Sequence, residues 1–282
     1  MLCIHGFILT ENHSIMATNI NSPIRIHGIA AFQDNYIWAI DNGEYALVVD
    51  PGEAQPVLDY LARQHLTLST ILITHHHGDH TGGINDLSQY FSPTVYGPEK
   101  EHIKGVSVSV HPRDTIHIPQ LDLDFTILDF AGHTRGHIGY YAPGMLFCGD
   151  TLFSAGCGRI FEGSPTDLFQ ALNTIKQLPL ETEIYCAHEY TQNNLQFALD
   201  VEPNNLLLHN YAKQVAELRV NNHSTIPTRL SQELLINPFL RTDQESLQHT
   251  LKQRFNHIDC TPLALFTFLR AWKNIYPSPL HY

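Results

Sequence analysis

Thr74-His75-His76-His77-Gly78-Asp79-His80 is the stretch of this chain best equipped for chemistry. Imidazole and carboxylate are the ligands that suit zinc, iron or manganese. In an extended segment, positions two apart point the same way, so His75 and His77 present two imidazoles on one side while His76 points elsewhere. Asp79 and His80 follow in the turn and face a second point close by. Four such groups are too many for one closed tetrahedral site that also draws ligands from elsewhere, so they read as half of each of two adjacent metal sites. A histidine-rich surface loop or an expression tag is the plainer alternative. A tag is a terminal run, however, and this run is internal and follows an apolar segment.

Positioning such a loop takes a strand before it and a helix after it. The apolar, β-branched run Thr70-Ile71-Leu72-Ile73 reads as a buried strand, and Ile84–Tyr90 as a helix. Upstream, Ile24–Phe32, Tyr36–Ile40 and Tyr45–Val49 are β-prone runs punctuated by Asp34-Asn35 and Asp41-Asn42-Gly43, which predicts an antiparallel meander. Asp50-Pro51-Gly52 ends it. The helical spacing of Gln55–His65 then sets up a βαβ unit. Downstream, strands are expected at Thr94–Gly97, Val106–Val110, Thr115–Ile118, Leu123–Phe130, Ile138–Tyr141, Met145–Cys148 and Glu183–Ala187, with a helix over Asp167–Gln177.

Three more candidate ligands, His133, Asp150 and His188, each lie at the end of one of these strands. Strand-end loops in layered α/β folds converge on one sheet edge. The sum is five imidazoles and two carboxylates. That is enough for two metals with three ligands each or nearly so, a carboxylate bridging both, and a water as the remaining bridge. After Tyr190 the pattern turns helical: Asn194–Leu199, Asn205–Asn221, Gln244–Asn256 and Leu263–Asn274, with no convincing strand. The expected organisation is an extension over residues 1–15, a metal-binding catalytic domain over 16–190 and a helical domain over 191–282. Met16 is a candidate natural start, and a signal peptide fits residues 1–15 poorly because they lack a basic n-region and a small-residue cleavage site.

The composition narrows the partners. At 282 residues the chain can bury a large core in one or two domains. The net charge of −12 disfavours nucleic acid and an anionic membrane surface, and no apolar run approaches a membrane span. An anionic small substrate would need a local cluster of Arg or Lys. The five cysteines, Cys3, Cys148, Cys157, Cys186 and Cys260, are odd in number and widely spaced, which favours a reducing, cytoplasmic compartment over a disulfide framework.

The motifs Phe32-Gln33-Asp34-Asn35-Tyr36, Thr74 to His80, Gly132-His133-Thr134-Arg135-Gly136-His137 and Gly149-Asp150-Thr151-Leu152-Phe153 resemble those of the metallo-β-lactamase-fold hydrolases. Gly156-Cys157-Gly158-Arg159, Cys186-Ala187-His188-Glu189-Tyr190-Thr191, Asn237-Pro238-Phe239-Leu240-Arg241 and Arg270-Ala271-Trp272-Lys273 narrow the resemblance to the glyoxalase II, or hydroxyacylglutathione hydrolase, family. The resemblance runs from Ile24 to the end of the chain. It implies an α+β fold: an αβ/βα sandwich of two mixed sheets flanked by helices, followed by an all-helical domain that closes over the substrate.

It also implies one metal held by His75, His77 and His133, a second by Asp79, His80 and His188, and Asp150 bridging them. The cofactors would be two divalent ions, zinc first, with iron and manganese as alternatives, and no organic cofactor. Asp79 and Asp150 would be the catalytic carboxylates, with Asp79 also orienting the attacking water. Arg159, Tyr190, Arg270 and Lys273 match positions that contact glutathione. The implied reaction is hydrolysis of S-(2-hydroxyacyl)glutathione thioesters, chiefly S-D-lactoylglutathione, to glutathione and D-lactate. This is the second step of methylglyoxal detoxification, carried out by a monomer. Rivals are a lactonase, a β-lactamase or a single-iron persulfide dioxygenase on the same fold, and a metal-binding protein without catalysis. The absence of Gly-x-Ser-x-Gly argues against a serine thioesterase.

Two positions depart from the family pattern. Phe161 stands where some members carry a tyrosine that reaches glutathione, and Gly78 where others have a larger residue, which would loosen the loop. His76 and His137 read as orienting or structural groups, Arg241 as a structural cap or ion-pair partner, and Trp272 as packing.

Overall fold

The computed structural model describes residues 23–277; the expected extension over residues 1–15, Met16, Cys3 and the last five residues lie outside them. Two mixed six-stranded sheets face each other. The first runs in chain order through β1 (Arg25–Ala31), β2 (Asn35–Asp41), β3 (Tyr45–Val49), β4 (Thr67–Leu72), β5 (Thr94–Pro98) and β6 (Val108–Val110). The meander β1–β2–β3 is antiparallel, and β3 to β6 are parallel. Helix α1 (Ala54–Gln64) makes the β3–β4 crossover, and the short α2 (Gly78–Thr81) and α3 (Ile84–Phe91) make the next.

The second sheet is built from β7 (Thr115–Ile118), β8 (Leu123–Asp129), β9 (Ile138–Ala142) and β10 (Met145–Gly149). A small hairpin, β11 (Leu152–Phe153) with β12 (Gly156–Cys157), follows, and then α4 (Pro165–Lys176), before β13 (Glu183–Cys186) joins β10 in parallel. Ser164 and Asp167 form a reciprocal capping box that starts α4, with Pro165 preset in its first turn.

Alternation along the strands explains the layers. Trp38, Ile40, Leu47, Val49 and Leu72 point into the core shared with Phe125, Ile127, Tyr140 and Phe147 of the second sheet. Their neighbours Ile37, Ala39, Val48 and Ile71 point to the other face, where Val57 and Leu61 of α1 and Ile84 and Leu87 of α3 cover them. The chain after Tyr190 forms α5 (Thr191–Val201), α6 (Leu206–Val220), α7 (Leu230–Ile236), α8 (Glu245–Arg254) and α9 (Pro262–Asn274).

The sandwich with outer helices and a helical C-terminal part is the architecture the sequence leads one to expect. Two elements depart from that expectation. Thr228–Arg229 forms β14, which pairs antiparallel with β13 and closes the edge of the second sheet, so a strand does follow Tyr190. Helix α7 comes directly after it. Both are too short to carry a readable hydrophobic period.

Candidate metal centre

Strand ends gather the site. The loop after β4 carries His75 to His80, the loop after β8 carries His133, β10 runs into Asp150, and β13 leads to His188. The two sheets meet at this edge, where the Tyr36 N–H donates to the Ala187 carbonyl at 2.7 Å. Gly149 takes φ +48°, and a Cβ there would lie 2.8 Å from His137 Nε2, so only glycine delivers the chain into Asp150 at this point.

Of four groups of metal-ligand type among the described residues, two flank Asp150: His75 with His77 and His133, and Asp79 with His80 and His188; Asp50 with His75 and His80, and the more exposed His76 with His77 and Glu162, are the others. In the first, His77 Nδ1 lies 3.0 Å from both His75 Nε2 and His133 Nε2. Nitrogens bound to one tetrahedral zinc at 2.0–2.1 Å lie about 3.3 Å apart, so this convergence is the size a cation needs. In the second, His80 Nε2 and His188 Nε2 lie 3.4 and 3.5 Å from Asp79 Oδ2. Asp150 stands between the clusters, with Oδ2 3.4 Å from His133 Nε2, and Oδ1 3.4 Å from His188 Nε2 and 3.6 Å from His80 Nε2.

Four of the five imidazoles in these clusters have their outer nitrogen committed to an acceptor. His75 Nδ1 meets the Thr74 hydroxyl at 3.0 Å, and that hydroxyl donates to Asp50. His80 Nδ1 meets Asp50 Oδ2 at 3.0 Å, His133 Nδ1 donates to the Arg159 carbonyl at 2.7 Å, and His188 Nδ1 meets Asp34 Oδ1 at 2.8 Å. Such bonds fix the tautomer that leaves Nε2 free for a metal. Asn35 holds Asp79 from outside at 3.0 Å. Asp34, Asn35 and Asp50 were legible in the sequence only as turn residues and motif neighbours.

The electrostatics fit a cation. Burial depresses the His75 and His77 pKa values, keeping those rings neutral. Burial opposes charge on His80 and His188, but their carboxylate neighbours together outweigh it, Asp150 with Asp50 and Asp79 at His80 and Asp150 with Asp34 at His188, raising His80 well above its ordinary range and His188 to about 9. Asp150 itself is held well below the usual carboxylate range: burial opposes its charge, and His188 and His80 overcome that opposition. His80 Nε2 and Asp150 Oδ1 are buried without a hydrogen-bond partner among the described residues. Buried polar atoms left in this way mark a place for an unrepresented ion. The donor set and these orphaned atoms therefore fit two divalent cations. Asp50 also lies near His75 and His80, but both its oxygens are occupied by Thr74 and His80, so it orients ligands.

Around the cluster, Phe161 is 59% exposed, with its ring 5.6 Å from that of His77 and 5.2 Å from that of His133. The exposed Arg159 reaches over it at 5.9 Å. Tyr190 stacks on His188 at 4.6 Å. Arg270 is buried: its Nη1 donates to the carbonyls of Cys157 and Gly158, at 2.9 and 3.2 Å. Lys273 Nζ donates to the Asn193 carbonyl at 3.0 Å. Neither cation has a carboxylate partner among the described residues. The Gly78 position faces open space, and Gly78 begins α2, so the missing side chain opens no gap in the packing. His137 lies beneath the cluster, accepting from the Asp150 N–H at 3.1 Å. Arg241 pairs with Glu202 through Nε and Nη2, and Trp272 packs among Phe197, Phe255 and Phe268.

Comparison with known proteins agrees with this geometry. A family model described as Metallo-beta-lactamase superfamily matches residues 32–188, and one described as Hydroxyacylglutathione hydrolase C-terminus matches residues 189–276. The chain is 52% identical over 253 residues to Hydroxyacylglutathione hydrolase 2 of Vibrio vulnificus (strain YJ016), covering 89% of this chain and 99% of the relative. It is 46% identical over 263 residues to the Hydroxyacylglutathione hydrolase of Shewanella baltica (strain OS223), with the same coverage. Among solved structures, ETHE1 from Myxococcus xanthus has a TM-score of 0.59 at 22% identity, covering 88% of this chain and 99% of that one. The BLEG-1 B3 metallo-beta-lactamase has a TM-score of 0.58 at 23% identity, covering 77% of this chain and 99% of that one. At these identities the two structures speak for the fold alone. The fold, the paired ligand clusters and the relatives that span nearly all of the chain together make this protein a member of the hydroxyacylglutathione hydrolase family.

Proposed function

We propose that this chain hydrolyses S-(2-hydroxyacyl)glutathione thioesters, chiefly S-D-lactoylglutathione, to glutathione and D-lactate, the second step of methylglyoxal detoxification. The observation that carries the proposal is Asp150 turning one oxygen to each of two three-residue ligand clusters. His75, His77 and His133 would hold one cation, Asp79, His80 and His188 the other, and Asp150 both. Zinc is the proposed metal, with iron and manganese the alternatives this ligand set also suits. When bound, the two cations supply an activated water and compensate the charge that develops on the thioester carbonyl.

The remaining work falls to the chain. Asp79, held by Asn35, is the group proposed to orient the attacking water. A thiolate leaves readily, so no side chain is required as general acid. Arg159, Tyr190, Arg270 and Lys273 are the proposed contacts to glutathione. Arg270 and Lys273 support that reading as neighbouring cations, in a chain of net charge −12, that lack a carboxylate partner among the described residues.

Residues 16–190 form the proposed catalytic domain and 191–282 the substrate-binding domain. One chain supplies every ligand and every proposed substrate contact, which supports a monomer as the working unit. The described cysteines, Cys148, Cys157, Cys186 and Cys260, are all free, which supports a reducing cytoplasmic location. No helix among the described residues is long and apolar enough to cross a membrane.

The test is hydrolysis of a panel of glutathione thioesters by protein of measured metal content. The expected result is two metals per chain and turnover that depends on the glutathione moiety. Full activity with one metal, or equal activity on lactones or β-lactams, would overturn the proposal.

A further inference from the structure

His76 belongs to the histidine loop but to neither cluster around Asp150. Its surroundings explain it. Glu101 closes the short 3-10 turn Glu99–Glu101 after β5, and its side chain is only 2% exposed. Oε2 of Glu101 accepts from the His76 backbone N–H at 3.0 Å and also meets His76 Nδ1. Oε1 accepts from the Thr134 hydroxyl at 2.9 Å and the Gly136 N–H at 2.5 Å. One buried carboxylate thus meets four polar partners, two from each histidine loop. On its far side His76 Nε2 lies 3.2 Å from Glu162 Oε1, and Glu162 accepts from the Arg135 N–H at 3.3 Å. The chain Glu101–His76–Glu162 ties together the His75–His77 loop, the His133 loop and the segment after Arg159.

The ligands of the first cluster, His75, His77 and His133, all sit on the two loops that Glu101 joins. Of the second, only Asp79 and His80 share one of those loops, and each ligand has an anchor of its own beyond Glu101: Asp79 has Asn35, His80 has Asp50 and His188 has Asp34. We propose that Glu101, acting with His76, is a positioning residue that sets the affinity of the His75–His77–His133 cluster for its cation while touching neither cation nor substrate. The proposal rests on the two-metal reading above.

The chemistry requires a carboxylate at this position. Each oxygen faces a backbone N–H, from His76 on Oε2 and from Gly136 on Oε1, so both oxygens must accept. Glutamine has the same shape but would turn an amide N–H₂ against one of those N–H groups. It should therefore behave like alanine, whereas a purely space-filling role would accept glutamine. Loss of groups that orient metal ligands costs about 10- to 100-fold in metal affinity, and that is the effect expected here at one cluster.

The experiment uses the full chain, stripped of metal and titrated with zinc against a chromophoric chelator. It compares wild type, Glu101→Gln, Glu101→Ala and the exposed neighbour Glu99→Gln, with thermal melts of the metal-free proteins to check folding. Thr134→Val, which withdraws one donor at constant shape, replaces the Glu101 variants if they do not fold. The expected result is two zinc equivalents in wild type and Glu99→Gln. In both Glu101 variants one equivalent should weaken about 10- to 100-fold, and the other should be unchanged. At saturating zinc, KM for a glutathione thioester should match wild type. Unchanged affinity in Glu101→Gln, or equal weakening of both equivalents, would overturn the clamp and leave the hydrolase reading standing. A wild type that hydrolyses no thioester, with one equivalent still weakened by Glu101→Gln, would overturn the hydrolase reading and leave the clamp. A wild type holding fewer than two zinc ions would overturn both.

Discussion

Arg270 donates through Nη1 to the carbonyl oxygen of Cys157 at 2.9 Å. This bond fastens α9, the last helix, to the β11–β12 hairpin that adjoins Asp150. The guanidinium also lies over the Phe239 ring at 5.4 Å, and Lys273, one turn further on, lies over Phe197 at 5.2 Å. Both cations face into the protein. Arg270 holds the helical part against the sandwich, and the two cations are also the proposed positive charge for an anionic substrate.

Separating those roles is the first test. Arg270→Ala leaves the carbonyls of Cys157 and Gly158 without their donor and should cost about 3 kcal/mol in stability, read as a lowered denaturant midpoint. Lys273→Met keeps the stem but removes the charge and the hydrogen bond to the Asn193 carbonyl, so stability should fall by about 1 kcal/mol at most while KM for the glutathione thioester rises about tenfold, a loss of about 1.4 kcal/mol. Changing both residues to Ala should raise KM more than it lowers kcat and should flatten the salt dependence of kcat/KM. A small thioester without the glutathione carboxylates should not sense the Lys273 change. An unmoved KM in Lys273→Met would remove the helical part from substrate recognition.

The pH dependence follows from Lys273. Burial lowers its pKa to about 8, with the neighbouring Arg270 adding to the shift and Cys157 opposing it. The unfolded chain therefore binds this proton more tightly than the folded one. Between about pH 8 and the unperturbed lysine value of about 10.4, this group makes stability rise with pH. Anion binding runs the other way, because the folded protein loses this charge as pH rises through about 8. The expected profile is a fall in kcat/KM above pH 8, displaced upward in Lys273→Arg, whose guanidinium stays charged. A profile identical in the two proteins would sink the assignment.

How much of this could be read from the sequence depends on the distance over which each feature is encoded. The His75 to His80 loop, the meander and the crossover helix α1 are local: their periodicity and turn residues lie within a few positions. The ligands His133, Asp150 and His188 showed themselves because each follows a strand. The groups that aim them did not. Asp34 serves His188 from 154 residues away, Asp50 serves His80 from 30, and Glu101 serves His76 from 25. Asp34 lies in the Phe32–Tyr36 motif, but neither that motif nor anything near Asp50 or Glu101 names the partner each serves. The spacing of Arg270 and Lys273 puts them on one helix face, but which way that face turns is decided by packing against Phe197 and Phe239. In the Gly156-Cys157-Gly158-Arg159 motif, Gly156 and Cys157 form β12 of a hairpin, and Gly158 approaches the Asp150 carbonyl so closely that a Cβ would collide with it.

Glu233 offers a stability test of the joint between the two parts. It is fully buried on α7 and accepts from the Ser154 hydroxyl, the Ala155 N–H, the Thr228 hydroxyl and Asn237 Nδ2, at 2.7 to 3.0 Å. Burial raises its pKa, and the hydrogen bonds oppose that rise. Glu233→Ala strands several buried donors and should cost about 3 kcal/mol or more. Because Asn237 also donates to the Phe153 and Gly156 carbonyls, the loss should reach the β11–β12 hairpin. Thermal unfolding of wild type should be a single transition; in the variant the melt should shift down or split. A melt indistinguishable from wild type would show that the joint is held elsewhere.

Asp150→Ala is the sharpest test of the centre. Asp150 is the carboxylate whose two oxygens face different clusters, and a water entering the space left by truncation would bring no negative charge to the bridge. Removing it takes one negative charge from between two proposed cations, so their mutual repulsion is less compensated. Metal content should fall below two per chain, and kcat should fall by at least about 10²- to 10³-fold, the usual cost of losing a charge-stabilising group. The fold should persist, because Gly149, not the Asp150 carboxylate, sets the backbone turn, and the strands on either side pack through Phe147 and Leu152. Circular dichroism and a cooperative melt check that point, and elemental analysis with turnover checks the rest. Treating wild type with a chelator should reproduce the loss of activity reversibly, whereas Asp150→Ala should stay inactive in excess zinc. Wild-type turnover with two metals in Asp150→Ala would show that the bridge is misassigned.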